Sequence, residues 1–329
     1  MSTTTQTTMV NPGSALSRFV VRHAYFFVKL LRAVLTAFLV LVLSFVLVRA
    51  SGNPAEIFLG SEATPDAIEM FSRRWGLDKP LPVQFARYFE RIVRFDLGNS
   101  LVKGRPVAEL IGERVGATLS LMVPAAVISI GVGVLFGLVA ALRHRKLTDS
   151  GILVASTLGF SLPNFFFGIL LIFVFSVVLG WLPSSGNTST RHYIMPLIAI
   201  ITADVAVFVR FSRSALLDIL DRDFITSFRA LGTKERRILM RHALPNASIA
   251  LLTISGFYIG SLVGGAIVTE TIFSWPGLGS LLVNSVRARD FPLVQALVLV
   301  FGVSIVVANL IVDVLYGVVD PRIRKGLDT

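Results

Sequence analysis

The sequence predicts an all-α polytopic membrane protein with six transmembrane helices and a helical outer segment between the first two. Three observations predict it. Of 329 residues, 54% are hydrophobic and only 16% charged, whereas a soluble domain carries about 25% charged residues. Six apolar runs, at 27–48, 117–141, 151–181, 194–212, 247–269 and 291–316, each reach the roughly 20 residues needed to cross hydrocarbon. The cations then sort by loop. With the N-terminus inside, the cytoplasmic segments hold 18 of the 31 Lys and Arg, and the two short outer loops hold only Arg191, Arg287 and Arg289. The positive-inside rule places both termini in the cytoplasm.

That sorting also accounts for the net charge of +11, so a nucleic-acid partner is not expected. The chain has no cysteine, which excludes disulfides, Fe–S clusters and thiol chemistry. No metal-ligand spacing occurs. Residues 1–26 form a cytoplasmic tail whose first part is Ser/Thr-rich and aperiodic. The first span, 27–48, is followed by Ala50-Ser51-Gly52, small enough for a signal cleavage site, but its apolar core exceeds that of a secretory signal.

Residues 50–116 make the one long outer segment, with nine basic and nine acidic residues. Thr64-Pro65-Asp66 reads as a helix start, Ile68, Phe71 and Trp75 follow at helical spacing, and Gly76 can end that helix. A second helix after Pro82 places Phe85, Phe89, Ile92 and Phe95 on one face. The segment is too small to bury a core alone, so it is expected on the outer ends of the spans, as a structural cap or as a seat for a delivery protein.

Residues 115–316 form the core. Gly133 and Gly137 in the second span, and Gly256, Gly260 and Gly264 in the fifth, recur at four-residue steps, a spacing that lets helix backbones approach closely within the chain or against another subunit. The third span exceeds the membrane thickness and is interrupted by Pro163-Asn164, so it should bend or protrude. Ionisable residues inside spans are few. Asp313 shares a face with Asn309 and Tyr316, and structural pairing with Arg322 or Arg324 is expected. Asp204, nearer mid-span, reads either as a pathway residue for an amine-bearing solute or as a structural partner of Arg210. Residues 317–329 form the C-terminal tail.

Between the fourth and fifth spans lies a charged loop, 213–247. Leu217, Leu220, Phe224, Phe228 and Leu231 fall at steps of three and four, one side of a single helix that Gly232 should end. Thr233 can cap a second helix, whose Lys234, Arg236, Arg237 and Arg241 form a basic flank until Pro245 stops it.

Gly232, nine residues, then His242-Ala243-Leu244-Pro245 resembles the EAA signature of ABC importer permeases. Thr226, Ser227 and Phe228 stand where that signature has Glu-Ala-Ala, and His242 where it has Ile. The stretches TETIFSWPGLGSLLVNSVRARDFPLVQALVLV and ANLIVDVLYGVVDPRIR are similar to the B-type permease subunit of dipeptide, oligopeptide and nickel ABC importers. GLDKPLPVQFARYFERIVRFDLGNSL, GFSLPNFFFGILL, GWLPSSG and RHALPNA extend the likeness over about residues 25–325.

The resemblance implies a type I ABC importer permease fold in a bacterial plasma membrane. It implies four kinds of neighbour: a second related permease, two ATP-binding subunits, an extracytoplasmic solute-binding protein and the lipid bilayer. It makes 213–247 a coupling loop that meets the ATPase through Phe224, Thr226, Ser227, Phe228, Arg229, Ala230, Leu231, Gly232, Lys234 and Arg237. It also puts Glu270, Trp275, Pro276 and Gly277, at the Pro-Gly turn after the fifth span, near the gate and the docked receptor. The bland reading of that turn is interfacial anchoring by Trp275.

No Gly-x4-Gly-Lys-Ser/Thr loop occurs, so ATP and Mg are expected only on the ATPase subunits. Di- or oligopeptides are the expected cargo, with nickel complexes, glutathione or oligosaccharides open. A proton-coupled secondary transporter would show paired internal repeats, and none is apparent. An intramembrane hydrolase would need a base inside a span, but His23, His144, His192 and His242 fall in loops or at span ends.

Overall fold

The computed structural model describes residues 15–50, 52–60 and 63–319. Its elements are helical throughout. α1 (Ala15–Ala50) is followed by three short helices, α2 (Pro54–Leu59), α3 (Pro65–Trp75) and α4 (Leu81–Val93). The core comprises α5 (Val107–Leu142), α6 (Leu147–Ser161), α7 (Asn164–Leu171), α8 (Arg191–Leu220), α9 (Asp223–Ala230), α10 (Glu235–Ile238), α11 (Leu244–Ile272), α12 (Leu278–Arg287) and α13 (Phe291–Val319).

Among the described residues, five helical stretches are long and apolar enough to cross a membrane, and α6 with α7 and its π-helical extension makes a sixth candidate, bent by 90°. The bend falls at Leu162-Pro163, where proline removes an amide donor and pushes the preceding residue into the extended region. Ties at both ends decide that this pair traverses the bundle rather than turning back. Asp149, at its start, is held by Arg213 near the end of α8, whereas Gly186, just past its finish, donates to the Phe273 carbonyl at the far end of α11.

α5 and α8 pack most extensively, and the Gly133/Gly137 pair explains why. A Cβ on Gly133 would lie 2.3 Å from Phe208 Cβ, and one on Gly137 would lie 2.6 Å from the Val209 carbonyl oxygen. The close approach is therefore made within this chain. The other small-residue series divides. Gly260 faces Ile305, Ala308 and Asn309 of α13, but Gly264 has nothing within 4 Å of where a Cβ would stand among the described residues. Gly256 is buried in α11. The side chain of Asp313, with its expected pairing, lies outside the described residues.

The two ends of the bundle differ. At one, here called the coupling end after the expectation for loop 213–247, α9 and α10 fold across the ends of α5, α8 and α11. At the other, the capped end, α2–α4 and α12 cover the bundle. Thr64 caps α3 by accepting from the Ala67 amide, and Gly76 closes it at φ 67°. Phe85 and Phe89 of α4 pack edge-on against Phe38 of α1, and Tyr88 stacks on Phe45. Phe95, expected on the same face, instead sits beyond the helix end at φ 58° and is exposed. The turn there is fixed by polar contacts: the Gly98 amide and the Arg91 guanidinium both donate to Asp96.

Candidate functional site

Three places combine positioned polar groups with a defined fold. The first is the coupling end. The single helix expected from Leu217 to Leu231 is two: α8 stops at Leu220, Arg222 is extended, and α9 begins at Asp223. The break turns α9 under the bundle, so that Ile225 is buried with Leu216, Ile238, Ala243 and Ala247. Leu217 and Leu220 thus belong to the span, and Phe224 and Phe228 to the loop helix.

α9 ends in a Schellman closure. Gly232, at φ 73°, donates to the Arg229 carbonyl, and Thr233 donates to the Phe228 carbonyl. Thr233 is thereby used to finish α9 and does not cap the next helix, which starts behind Lys234 without a side-chain cap. Nor does Pro245 stop that helix. Leu239–Ala243 form a π-helical turn that runs straight into α11. The Leu244 amide reaches back five residues to the Leu239 carbonyl, and the Asn246 side chain donates to the His242 carbonyl, so the wide turn passes the proline ring although Pro245 itself offers no donor.

This folding sorts the loop residues. Phe228 is half-buried and stacks on His242, 4.1 Å between ring centres, and Arg229 pairs with Glu235 at 2.7 Å. Thr226, Ser227, Ala230, Gly232, Lys234 and Arg237 are exposed. Two large apolar side chains are exposed with them, Phe224 at 39% and Leu231 at 80%. Sequence reasoning missed the clamp behind them. Asp149, nearly buried, accepts from Arg213 Nε at 2.6 Å and Nη2 at 2.8 Å, and also from the Arg145 amide. His144 Nδ1 lies 2.9 Å from the same Nη2. Asp149 and Arg213 are 64 residues apart, and no local spacing rule links them.

The second place is mid-bundle. Asp204 of α8 is half-buried and accepts a hydrogen bond of 2.6 Å from the Tyr258 hydroxyl of α11. Tyr258 is held edge-on to Phe208. Arg210, the partner considered from sequence, stands over the Phe160 ring instead, 4.4 Å from its centre. Six residues turn a helix through about 600°, which carries Arg210 off the Asp204 face.

The third place is the capped-end turn after α11. Trp275 is fully buried, not at an interface: its Nε1 donates to the Ala117 carbonyl at 2.8 Å, and its ring meets Tyr193 edge-on at 4.5 Å. Glu270 is fully buried beside it. Its Oε1 accepts from Thr118 Oγ1 at 2.6 Å, and its Oε2 accepts from the Gly279 and Ser280 amides at 2.7 and 3.1 Å. Thr118 Oγ1 in turn accepts from the Leu278 amide. Every partner donates, and two are at the start of α12, where a carboxylate also meets the favourable end of the helix dipole. Gly277 leaves room for this knot, since a Cβ there would fall 2.2 Å from Glu270 Oε1. The Pro276 carbonyl accepts from Arg114 at 3.3 Å. Neither Glu270 nor Trp275 faces open space in this conformation.

Residues 133–325 match the family described as binding-protein-dependent transport system inner membrane component, and residues 17–122 match its N-terminal component. The glutathione transport system permease protein GsiC of Escherichia coli O6:H1 is 42% identical over 91% of this chain and 98% of its own. The chain belongs to the ABC importer permeases of binding-protein-dependent transport. Another relative of this permease is the oligopeptide transport system permease protein AppB of Bacillus subtilis, 41% identical over 86% of this chain and 93% of its own. The MetNI methionine ABC transporter, solved in inward-facing form, superposes with a TM-score of 0.55 at 16% identity, over 65% of this chain and 97% of the compared one. That likeness supports the fold. The permease is thus a multi-pass inner-membrane component of the type I fold, and its relatives are transport subunits.

Proposed function

We propose that this permease forms part of the path for di- and oligopeptides, glutathione among them, delivered by an extracytoplasmic solute-binding protein. Two ATP-binding subunits, which carry the ATP and Mg, drive it, and a second related permease completes the path. The coupling end faces the cytoplasm in this reading. One observation carries it: α9 presents Phe224 and Leu231 outward while Ile225 fixes the same helix to the ends of three spans. Exposed apolar side chains on a rigidly seated helix suit a protein partner and suit water poorly. Displacement of α9 is then passed to α5, α8 and α11 together, and the chain supplies contacts that differ between two states rather than bond chemistry.

The chain has no cysteine, so Leu231→Cys introduces a unique thiol. In assembled transporter it should crosslink to a thiol-reactive ATPase subunit. Capture of no ATPase in the assembled transporter overturns the coupling reading.

Asp204 supports the peptide cargo. A half-buried carboxylate held by Tyr258 within the membrane suits the ammonium group of a peptide N-terminus. Asp204→Asn should raise KM about tenfold for peptides with a free amino end, the worth of one charged hydrogen bond. N-acetylated peptides should be transported as before. Equal loss for both classes removes Asp204 from the path.

A further inference from the structure

A cavity of about 370 Å³ lies at the capped end between the last turns of α1, helices α3 and α4, and the start of α13. Five arginines line it, Arg49, Arg73, Arg74, Arg87 and Arg91, against one acidic lining residue, Asp96. Asp96 is already committed. The Gly98 amide and the Arg91 guanidinium hold it below the usual carboxylate range, and Arg91 Nε sits 3.0 Å from its Oδ2. Arg73 pairs with Glu69. Among the described residues, Arg49, Arg74 and Arg87 face no carboxylate within ion-pair distance.

Two buried polar atoms sharpen the chemistry. Arg49 Nε, a donor, and Gln84 Oε1, an acceptor, are both without a hydrogen-bond partner. Gln84 is oriented by donating its Nε2 to the Leu77 and Lys79 carbonyls at 2.9 and 2.6 Å, so its oxygen is left for a guest. Buried groups of this kind are costly unless something completes them. An anion that also carries a hydroxyl would satisfy both atoms. Phe45 and Val48 add an apolar floor, and the adjacent α1 residues Leu43, Val46 and Leu47 are exposed, as a lipid-facing surface is. A small soluble anion has no use for that floor.

We propose that this cavity binds the phosphate of an anionic, hydroxyl-bearing phospholipid headgroup from the leaflet at the capped end. The phosphate lies among Arg49, Arg74 and Arg87, the head hydroxyl donates to Gln84 Oε1, and the acyl chains run down α1 past Val46 and Leu43. The bound lipid joins α3 and α4 to α1 and α13. None of these residues belongs to the coupling loop or to the Asp204–Tyr258 pair, so the site stands independently of the proposed cargo.

The test uses the full chain in its assembled transporter, purified in detergent and stripped of lipid. Phosphatidylglycerol should be retained in native mass spectra and raise the melting temperature, and phosphatidylcholine and free glycerol phosphate at equal concentration should do neither. Arg49→Gln and Arg87→Gln should each weaken retention about fivefold, as loss of one basic contact to an anionic lipid implies, and Arg87→Lys should recover part of it. Should the glutamine variants not fold, Gln84→Glu reads the same site, because its added negative charge should repel the phosphate. Equal retention of the two lipids, unchanged retention in all these variants, or an equal gain from glycerol phosphate alone overturns the proposal. Displacement of the lipid by a dipeptide would reassign the cavity to substrate and overturn it too.

Discussion

Removing the Glu270 carboxylate should loosen the capped end about as much as truncating a large buried apolar side chain there. Three donors converge on it, Thr118 Oγ1 and the Gly279 and Ser280 amides, and the side chain is 0% exposed. Glu270→Ala strands all three. At about 1–3 kcal/mol for each buried donor left without a partner, the loss is about 4 kcal/mol or more. Glu270→Gln is milder. The amide oxygen can take both backbone amides, and the NH2 can face Thr118 Oγ1, which keeps a free lone pair. The charge assistance goes and the Thr118 hydroxyl hydrogen must turn to another acceptor, about 1–2 kcal/mol in all. Gly277→Ala gives an internal check, because its new methyl would occupy the position of Glu270 Oε1. Alone it should expel the carboxylate and resemble Glu270→Ala. In the Glu270→Ala background it should add little, a non-additivity expected of groups that share one space. Melting of the detergent-solubilised chain, followed by the fluorescence of buried Trp275, reports these differences. Equal losses for the Ala and Gln variants, or full additivity of Glu270→Ala with Gly277→Ala, would refute the reasoning.

Three further outcomes follow from other contacts. Gly137→Val should destabilise the isolated chain by about 2 kcal/mol or more by melting, since the Val209 carbonyl and the Arg213 amide it would meet are backbone and cannot turn aside; Gly264→Val, with nothing within 4 Å, should change it by under about 0.5 kcal/mol. Asp149→Asn should cost about 2 kcal/mol by the same assay, by weakening the two-pronged Arg213 contact at a nearly buried carboxylate. Leu231→Ser should leave melting unchanged, because the side chain is exposed, and lower ATP-driven uptake about tenfold, as loss of an apolar contact to the ATPase requires; full uptake would count against that contact.

What the sequence revealed follows from the range of the forces involved. Apolar length, the Thr64 and Gly76 caps and the Pro163 break act within a few residues, and each is where pattern places it. The separated motifs identified the family for a related reason, since several in order leave little room for chance. Long-range choices were hidden. Whether Phe224 continues the helix of Leu217 depends on Ile225 finding Ile238 and Ala247, and whether Pro245 ends a helix depends on a wider turn being tolerated before it. Asp204 could be flagged as costly in a span, but its partner Tyr258 lies 54 residues away. Trp275 looked interfacial because aromatic residues beside Pro-Gly often are. The Ala117 carbonyl that buries it lies 158 residues upstream.

Because the π-helical turn bridges what proline would have severed, residues 235–272 form one unbroken shaft, about 57 Å long at 1.5 Å per residue. Moved as one body, such a shaft carries a tilt from its foot to its head. Leaning its foot by 5° about its middle displaces its head by about 2.5 Å, comparable to the hydrogen-bond lengths that hold Glu270 in place. The two ends of this molecule therefore cannot rearrange independently: leverage at one is strain at the other.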